Sequence, residues 1–410
     1  MTNVERYRAM LNCLEYNYKG IELCHIVTLK IWGEARGKRV FSWRHIICLF
    51  KAYDVRSFIL PNDNGFLSTF MEKRRNDHYN LYETILSRFS ISPTRNDLFN
   101  LKTRFVFNPL IISILCCHFF FKIKGSGLSI GKKLNWLSEY AFLCNTIHEL
   151  EKIDFTPVKK YLSMCHIIGL ENLLTQYFRQ KGIETFSLEE GIYMVYKRTF
   201  VIGAIAYENF ATDHLLCWGQ YTKDQYIEYG IDASRIDVAG YPKSQTLKPQ
   251  KQNNKYQKCL VMLAGPLFGD VNNNLLTMLG SLRDEIDITL KSHPVNYSEM
   301  ETYAKKHTFS IIPKSQSIAD CFENGDYDFS IAVNTTAYYE SWMAGIPCIR
   351  YNDERFDNFY GFDDLFSTKE QLESLLCEYR SAPKNELEVK QMLEYAIGFG
   401  LDNYDSIING

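Results

Sequence analysis

Two short stretches of this sequence place ionisable side chains in patterns that suit acid–base and phosphate chemistry. Ser187-Leu188-Glu189-Glu190-Gly191 follows an apolar run, 183–186, and Leu290-Lys291-Ser292-His293-Pro294 ends a second apolar run, 286–290. Each run predicts a strand, so both stretches lie past a strand's carboxyl end, where open α/β sheets bind ligands. The first offers paired carboxylates, and the second offers a cation, a hydroxyl and an imidazole. Such a set favours deprotonation of an acceptor on one wall of a cleft and capture of a leaving phosphate on the other.

Apolar strands alternate with helical patterns from residue 164 onwards, which predicts βαβ units and parallel sheets. Strands are predicted at 164–168, 183–188, 214–218, 236–239, 259–263, 286–290, 309–312, 327–333 and 347–351. Helices are predicted at 171–181, from Thr222 as N-cap to Gly230, and at 337–344. The fold class is therefore α/β.

A polar stretch, 246–258, has no apolar period and reads as a linker. It divides the chain into an N-terminal, acceptor-side Rossmann-like domain, 1–245, and a C-terminal, nucleotide-binding Rossmann-like domain, 259–410. A last helix is predicted from Glu386 to Gly398, and whether it crosses back to the first domain stays open. Two such domains facing each other across a cleft form the GT-B architecture. Glycosyltransferases and sugar-nucleotide epimerases share that outline, so the fold alone does not select a reaction.

Composition excludes several classes of protein. With 410 residues, 46% hydrophobic and 23% charged, the chain can bury a core and is not disordered. A net charge of −2 argues against nucleic-acid binding by bulk electrostatics. The 12 cysteines include no C-x-x-C pair, which favours reduced thiols and no zinc site. The first residues contain Glu5, Arg6 and Arg8 and no apolar core of a signal peptide, so a cytoplasmic location is expected.

One apolar segment, Phe105 to Phe121, is long enough that a membrane-spanning helix has to be considered. Its 17 residues lie between Arg104 and Lys122 and fall short of the roughly 20 that a spanning helix needs. A buried helix or strand–helix pair is the preferred reading, with an interfacial segment as the alternative. The following Lys122 to Lys133 is glycine-rich and basic, and we read it as a surface loop. Contact of these lysines with the anionic inner face of a membrane stays open.

The motifs resemble those of a known family. Glu189-Glu190-Gly191 is similar to the Asp/Glu-Asp/Glu-Gly motif of bacterial sialyltransferases of the GT-B class. His293-Pro294 resembles their His-Pro motif, and Thr335-Thr336 stands where they carry a Ser/Thr pair. The order along the chain agrees, and the resemblance covers about 160–350. Thr336, Glu340 and Gly345-Ile346-Pro347 also resemble the Ser/Thr…Glu…Gly-x-Pro segment of GT-B nucleotide-binding domains.

The resemblance implies an inverting, metal-independent transfer of a nonulosonic acid, most simply sialic acid, from a CMP-sugar to a capsule or lipooligosaccharide glycan. Glu189 would be the base, and Glu190 and Gly191 would support its loop. His293 would act on the leaving phosphate. No cofactor is implied beyond the CMP-sugar donor, and the acceptor glycan is either free or lipid-linked. The other candidates for the nucleotide and phosphate site are Lys291, Ser292, Pro294, Thr335, Thr336, Gly265 and Glu340. Glu340 is the expected carboxylate for the cytidine ribose, and Glu323 is the alternative.

The sequence also fits other functions. The same chemistry with Kdo, legionaminic or pseudaminic acid fits the motifs equally well. A CDP-glycerol-type polymer transferase also places a His-Pro pair at a phosphate site. A non-catalytic glycan- or nucleotide-binding protein is the alternative from another class, and the acidic pair argues against it because a binder needs no base.

Overall fold

A computed structural model of the chain describes residues 2–37, 43–62, 64–71, 76–122, 128–197, 205–243, 246–251, 256–293, 295 and 297–410. Pro294, one of the candidate site residues, lies outside these ranges, as do 252–255 of the predicted linker.

The N-terminal domain is built on a parallel six-stranded sheet that is flanked by helices. Its strands in chain order, including two small antiparallel pairs, are β1 (Asn17–Tyr18), β2 (Ile21–Glu22), β3 (Lys51–Tyr53), β4 (Phe66–Phe70), β5 (Thr94–Asp97), β6 (Thr103–Phe105), β7 (Lys160–Ser163), β8 (Glu184–Leu188), β9 (His214–Cys217) and β10 (Ile236–Val238). Its helices are α1 (Asn3–Cys13), α2 (Leu23–Ile26), α3 (Thr28–Ala35), α4 (Asn76–Leu86), α5 (Pro109–Cys117), α6 (Ile130–Leu150), α7 (Gly169–Gln180), α8 (Ile205–Glu208) and α9 (Gln220–Tyr229). The sheet order is β10-β9-β8-β7-β4-β5, and β1 pairs with β2 and β3 with β6.

Both faces of this sheet are buried. Phe66 and Leu162 pack into one core, whereas the neighbouring Leu67 and Tyr161 pack into the other, because alternate side chains of a strand point to opposite faces. Parallel sheets are covered on both sides in this way, and their strands are therefore apolar along their whole length. The sheet consequently fixes the loops that leave its carboxyl edge.

The C-terminal domain repeats this plan. Its strands are β11 (Lys258–Met262), β12 (Asp287–Lys291), β13 (Ser310–Ile311), β14 (Phe329–Ala332), β15 (Cys348–Tyr351) and β16 (Leu365–Phe366), in the order β13-β12-β11-β14-β15-β16. All the pairs are parallel. Its helices are α10 (Gly269–Leu279), α11 (Tyr297–His307), α12 (Ile318–Asn324), α13 (Ala337–Met343), α14 (Lys369–Ser381), α15 (Glu386–Ala396) and α16 (Asn403–Asn409). The predicted α/β class with two parallel-sheet domains is confirmed.

The end of the chain lies against the N-terminal domain. The hydroxyl of Tyr404, in α16, donates a hydrogen bond of 2.7 Å to the carbonyl of Gly240. The hydroxyl of Tyr395, in α15, donates one of 2.8 Å to Asp224 of α9. One hydrophobic core runs through both domains, because Leu188 and Trp218 belong to the same buried cluster as the strands of the second sheet.

The apolar segment 105–121 is only partly buried. It comprises the end of β6, the helix α5 and a π-helical turn, His118–Lys122. Ile111, Leu115 and Phe119 are buried, but Phe107, Leu110 and Phe121 are more than half exposed. The preferred expectation of a buried segment is thus wrong for one face of the helix. Within the described ranges, no helix has the length and apolar character needed to cross a bilayer.

Candidate active site

The carboxyl edge of the second sheet brings together candidates that are far apart in sequence. Gly265 follows β11, His293 follows β12, and Thr335 follows β14. These three strands are adjacent, with β11 in the middle, and adjacent strands lie about 4.8 Å apart. The imidazole of His293 lies beside Gly265, since a Cβ at that glycine would be 3.8 Å from the ring. A methyl group at Gly265 would touch the histidine at ordinary contact distance, whereas a longer side chain would compete with it for space.

His293 has a defined orientation. Its Nδ1 atom is 3.3 Å from the backbone nitrogen of Val295, which donates a hydrogen bond to it. Because Nδ1 acts as the acceptor, the hydrogen-bond network assigns the proton of the neutral ring to Nε2. His293 can therefore present an N–H donor to an anionic oxygen.

Two buried polar atoms near this edge have no hydrogen-bond partner among the residues that the structure describes. They are the hydroxyl oxygen of Ser292 and the side-chain oxygen of Asn334. Asn334 also has φ of +41°, in the left-handed region, and comes just before the Thr335-Thr336 pair. Buried polar groups are usually satisfied, and strained backbone concentrates at functional sites. Both features mark this edge as a place for a polar ligand.

The other phosphate-site candidates have partners within the protein. The ammonium of Lys291 donates a hydrogen bond to the carbonyl of Gln316, and burial lowers the pKa of Lys291. The hydroxyl of Thr335 accepts a hydrogen bond from the backbone of Ala337 at 3.3 Å. Thr336 is half-buried and occupies the N-cap position of α13 without a side-chain capping bond. Of these three, the hydroxyl of Thr336 is best placed to serve an added ligand.

Glu340 is half-buried, and its carboxylate is hydrogen-bonded by two residues of the first domain. Its Oε1 accepts hydrogen bonds from the hydroxyl of Tyr241 at 2.7 Å and from the ammonium of Lys243 at 3.0 Å. The alternative ribose ligand, Glu323, is exposed near the end of α12. Glu340 is therefore the better positioned of the two carboxylates, since it is fixed where the domains meet.

Glu189 follows β8 and is fully buried. Its carboxylate accepts hydrogen bonds from the backbone nitrogens of Trp218 at 2.5 Å and Tyr193 at 3.3 Å. The hydroxyl of Thr222 donates a third hydrogen bond to Glu189, at 2.8 Å. Thr222 was expected to be the N-cap of α9, but Gly219 occupies that position. Burial raises the pKa of Glu189 to about 8. The side chain ties the β8 loop to the β9 loop, a role that the resemblance would give to Glu190.

Glu190 has the more accessible carboxylate of the pair. Its side chain is 22% exposed, and its Oε2 lies 3.3 Å from Nδ1 of His78. Gly191 has no left-handed backbone angle, and a Cβ there would meet open space, so neither a tight turn nor close packing explains the glycine. The loop therefore borders free volume beside Glu190.

His78 is a residue that the sequence analysis missed. It lies in α4, which follows β4, and its side chain is almost fully buried against Glu190. No spacing motif connects residues 78 and 190, and no strand was predicted before His78, so no signal in the sequence pointed to it. Because β4 and β8 are separated only by β7, their carboxyl-end loops meet on one edge.

The loop after Gly191 extends to the second domain. The backbone nitrogen of Lys197 donates a hydrogen bond of 2.9 Å to Asp357. The side chain of Asn334 also forms a hydrogen bond with Tyr196 through its amide nitrogen, since its oxygen has no partner, and this bond links the loop to the turn before Thr335. The acidic loop and the hydroxyl-bearing loop thus meet where the two carboxyl edges face each other.

Two further features lie outside this region. A cavity of about 400 Å³ between Arg283 and Phe309 sits near the amino ends of β12 and β13, at the far end of the sheet from His293. Across the part of the chain that the structure describes, no three His, Cys, Asp or Glu side chains are grouped so as to hold a metal ion.

Comparison with known proteins identifies the fold. No protein-family model and no curated protein sequence matches the chain. Among solved structures, an apo lipopolysaccharide outer core galactosyltransferase, WaaB, matches with a TM-score of 0.51 and 13% identity, over 84% of this chain and 99% of that one. A UDP-GlcNAc 2-epimerase from Methanocaldococcus jannaschii gives 0.49 and 10% identity, over 83% and 98%. An S. aureus MnaA–UDP complex gives 0.48 and 13%, over 84% and 95%.

The two parallel-sheet domains and the likeness to the galactosyltransferase structure show that this chain has the GT-B fold, as its sequence predicted. At these identities the likeness concerns the fold, and the reaction has to be argued from the site.

Proposed function

We propose that this protein is an inverting, metal-independent glycosyltransferase that moves a nonulosonic acid, most simply sialic acid, from a CMP-sugar to a bacterial surface glycan. The observation that carries the proposal is the convergence of Gly265, His293 and Asn334-Thr335 at the carboxyl ends of three adjacent strands. Ligands of open α/β sheets bind at this edge. The choice of a CMP donor rests on the motif resemblance.

On the donor side, the developing charge is that of the departing CMP phosphate. The Nε2–H of His293 donates a hydrogen bond to a phosphate oxygen as the bond to the anomeric carbon breaks. The hydroxyls of Ser292 and Thr336 supply further donors, and the cation of Lys291 adds a favourable field without direct contact. Donors fixed in place before the reaction stabilise such charge effectively, because no reorganisation is needed.

On the acceptor side, a carboxylate takes the proton of the attacking hydroxyl. We assign this role to Glu190, because its side chain is 22% exposed whereas that of Glu189 is fully buried and already accepts three hydrogen bonds. The acceptor oxygen then bonds to the anomeric carbon from the face opposite CMP, which leaves with the electrons of the broken bond. His78 orients Glu190, and Glu189 holds the loop.

The donor nucleotide can be tested directly by thermal unfolding with CMP, CDP, UDP or GDP, each in the presence of EDTA. A nucleotide at one hundred times its Kd stabilises the folded state by about 2.7 kcal/mol, so CMP is expected to raise the melting temperature most. A larger shift with UDP would replace CMP by a uridine donor, and the MnaA structure shows that a GT-B relative was solved with UDP. No shift with any nucleotide would refute a nucleotide-sugar transferase.

Release of CMP from CMP-sialic acid in the presence of a lipooligosaccharide-type acceptor is the companion assay. Transfer is expected to survive EDTA, because the proposed chemistry uses only side-chain donors and a carboxylate base. A rate that EDTA abolishes and added Mg²⁺ restores would contradict the metal-independent mechanism.

A further inference from the structure

The N-terminal domain carries an exposed apolar stripe that the proposed chemistry does not use. Large apolar side chains on β6, α5, the π-helical turn and the start of α6 are 47% to 74% exposed: Phe105, Phe107, Leu110, Ile114, Phe121 and Ile130. Isolated exposed apolar residues are normal, but a contiguous set marks an interaction surface.

The stripe follows from the helical repeat. Leu110, Ile114 and Phe121 are separated by four and seven residues, so they lie along one side of the helical segment. Ile111 and Leu115 point to the other side and are buried. The segment is therefore apolar on both its inward and its outward face, and the inward face is the one that packs on the domain.

Aromatic packing extends the stripe beyond the helix. The ring of Phe50 lies 6.2 Å from that of Phe105 and 6.0 Å from that of Phe107. Exposed apolar side chains are therefore present both on α5 and on the segment 105–107 that leads into it.

The charge of the same region is strongly one-sided, although the whole chain has a net charge of −2. From Leu98 to Ser138 the sequence has no Asp or Glu and contains six basic residues: Lys102, Arg104, Lys122, Lys124, Lys132 and Lys133. Arg104 and Lys132 are paired with Glu149 and Glu34, but those two carboxylates are buried beneath the surface. Lys102 and Lys132 are exposed, so the described part of this region carries cations as well as exposed apolar side chains.

We propose that this face binds the surface of an anionic phospholipid bilayer. Apolar side chains insert into the headgroup and acyl boundary, and flanking lysines attract acidic headgroups, each supplying part of the affinity. The nine residues of α5 rise about 14 Å, well below the roughly 30 Å hydrocarbon core, so the contact is with one leaflet. The proposal does not depend on the donor nucleotide.

The test is co-sedimentation of the purified full chain with vesicles of phosphatidylglycerol and phosphatidylcholine, compared with phosphatidylcholine alone. Wild-type protein is expected to bind the anionic vesicles at least about tenfold more tightly, with loss of binding at high salt. The double variant Leu110→Gln/Ile114→Gln is expected to lower the affinity at least about tenfold, since glutamine keeps the helix but removes the apolar contacts.

Leu387→Gln is the matched control, because Leu387 is 63% exposed on α15 of the other domain and its change is expected to leave vesicle binding intact. Circular dichroism and the nucleotide-induced thermal shift check that the double variant is folded. Failure of the wild type to bind anionic vesicles, or equal binding by the double variant, overturns the proposal. A wild-type dimer that becomes monomeric in the double variant, without vesicle binding, would assign the face to a second copy of the chain.

Discussion

The hydroxyl of Tyr241 donates a hydrogen bond of 2.7 Å to Oε1 of Glu340, across the boundary between the two domains. Lys243 reaches the same oxygen at 3.0 Å. The carboxylate that the resemblance assigns to the nucleotide ribose is therefore anchored by residues from the end of the N-terminal domain. A ribose that binds Glu340 would therefore contact a carboxylate whose position depends on both domains.

Removal of this contact is expected to weaken the interface between the domains. Tyr241→Phe should lower the free energy of unfolding by about 1.5–3 kcal/mol, since it deletes a hydrogen bond to a charged group. Urea unfolding measures the change. Tyr79→Phe is the control, because Tyr79 is 43% exposed and its change should have little effect. Equal stabilities of the Tyr241 variant and the wild type would show that the contact contributes nothing.

Substitutions of the two residues of the acidic pair, Glu189 and Glu190, should have different effects. Glu190→Gln is expected to lower the rate of transfer about 10²–10⁴-fold with normal stability, as for loss of a general base. Glu189→Gln should lower the free energy of unfolding by about 1–3 kcal/mol, because a buried amide cannot accept from all three donors. Steady-state kinetics and urea unfolding distinguish the two. A stable, inactive Glu189 variant beside an active Glu190 variant would return the base to Glu189.

His78 is expected to act through Glu190 and not on the substrate. His78→Ala should lower kcat and shift the acidic limb of the pH–rate profile, with little change in KM for the donor. His78→Gln should recover part of the rate, because an amide can still donate to the Glu190 carboxylate. An unaltered pH–rate profile in His78→Ala would contradict the positioning role.

Buried carboxyls give this protein a specific dependence of stability on pH. Burial raises the pKa of both Glu171 and Glu189 from 4.5 to about 8. The folded chain therefore keeps protons that the unfolded chain releases, so this stabilisation is complete below about pH 4.5 and is lost as the pH rises through about 8. The difference in unfolding free energy between pH 5 and pH 8 should shrink in Glu171→Gln. Glu378→Gln, at an exposed carboxylate, should keep the wild-type difference.

Two glycines of the C-terminal domain should respond oppositely to alanine. Gly345 has φ of +77°, and a Cβ there would lie 2.2 Å from the carbonyl oxygen of Pro249, so Gly345→Ala should cost more than about 1–2 kcal/mol of stability. Gly265 has φ of −65°, and a Cβ would be 3.8 Å from His293, so Gly265→Ala should be nearly neutral for folding. Thermal unfolding of both variants tests the contrast, and equal losses would contradict it.

The alternation of strands and helices from residue 160 onwards was predictable, because parallel strands buried on both faces leave apolar runs. The strands β4 and β5 of the first sheet were not predicted, and β5, Thr94–Asp97, has no apolar run to reveal it. The approach of His293 to Gly265 follows from that order, since both residues end adjacent strands. The partner of Glu190 was not predictable, because His78 reaches it through the sheet order β8-β7-β4, which no local pattern encodes. The roles within Glu189-Glu190 were also hidden, since sequence does not reveal which of two neighbouring carboxylates turns inward.

The exposed face of α5 shows a related limit. Hydrophobicity identified the segment 105–121 and its length argued against a membrane span, but an apolar helix with two apolar sides has no periodic signal to show which side is covered. Thr222 illustrates the same point on a smaller scale. Its hydroxyl was a reasonable helix cap, but it donates instead to the buried side chain of Glu189.

The most direct test of the central claim is the affinity for CMP measured by isothermal titration calorimetry on wild type, His293→Ala and His307→Ala. His307 ends α11, away from the candidate site, and serves as the matched histidine control. We predict that His293→Ala weakens CMP binding at least about tenfold, since a charge-assisted hydrogen bond to phosphate is lost. His307→Ala should bind CMP as wild type does. Wild-type affinity in His293→Ala would contradict the placement of the donor phosphate at the carboxyl edge of the second sheet.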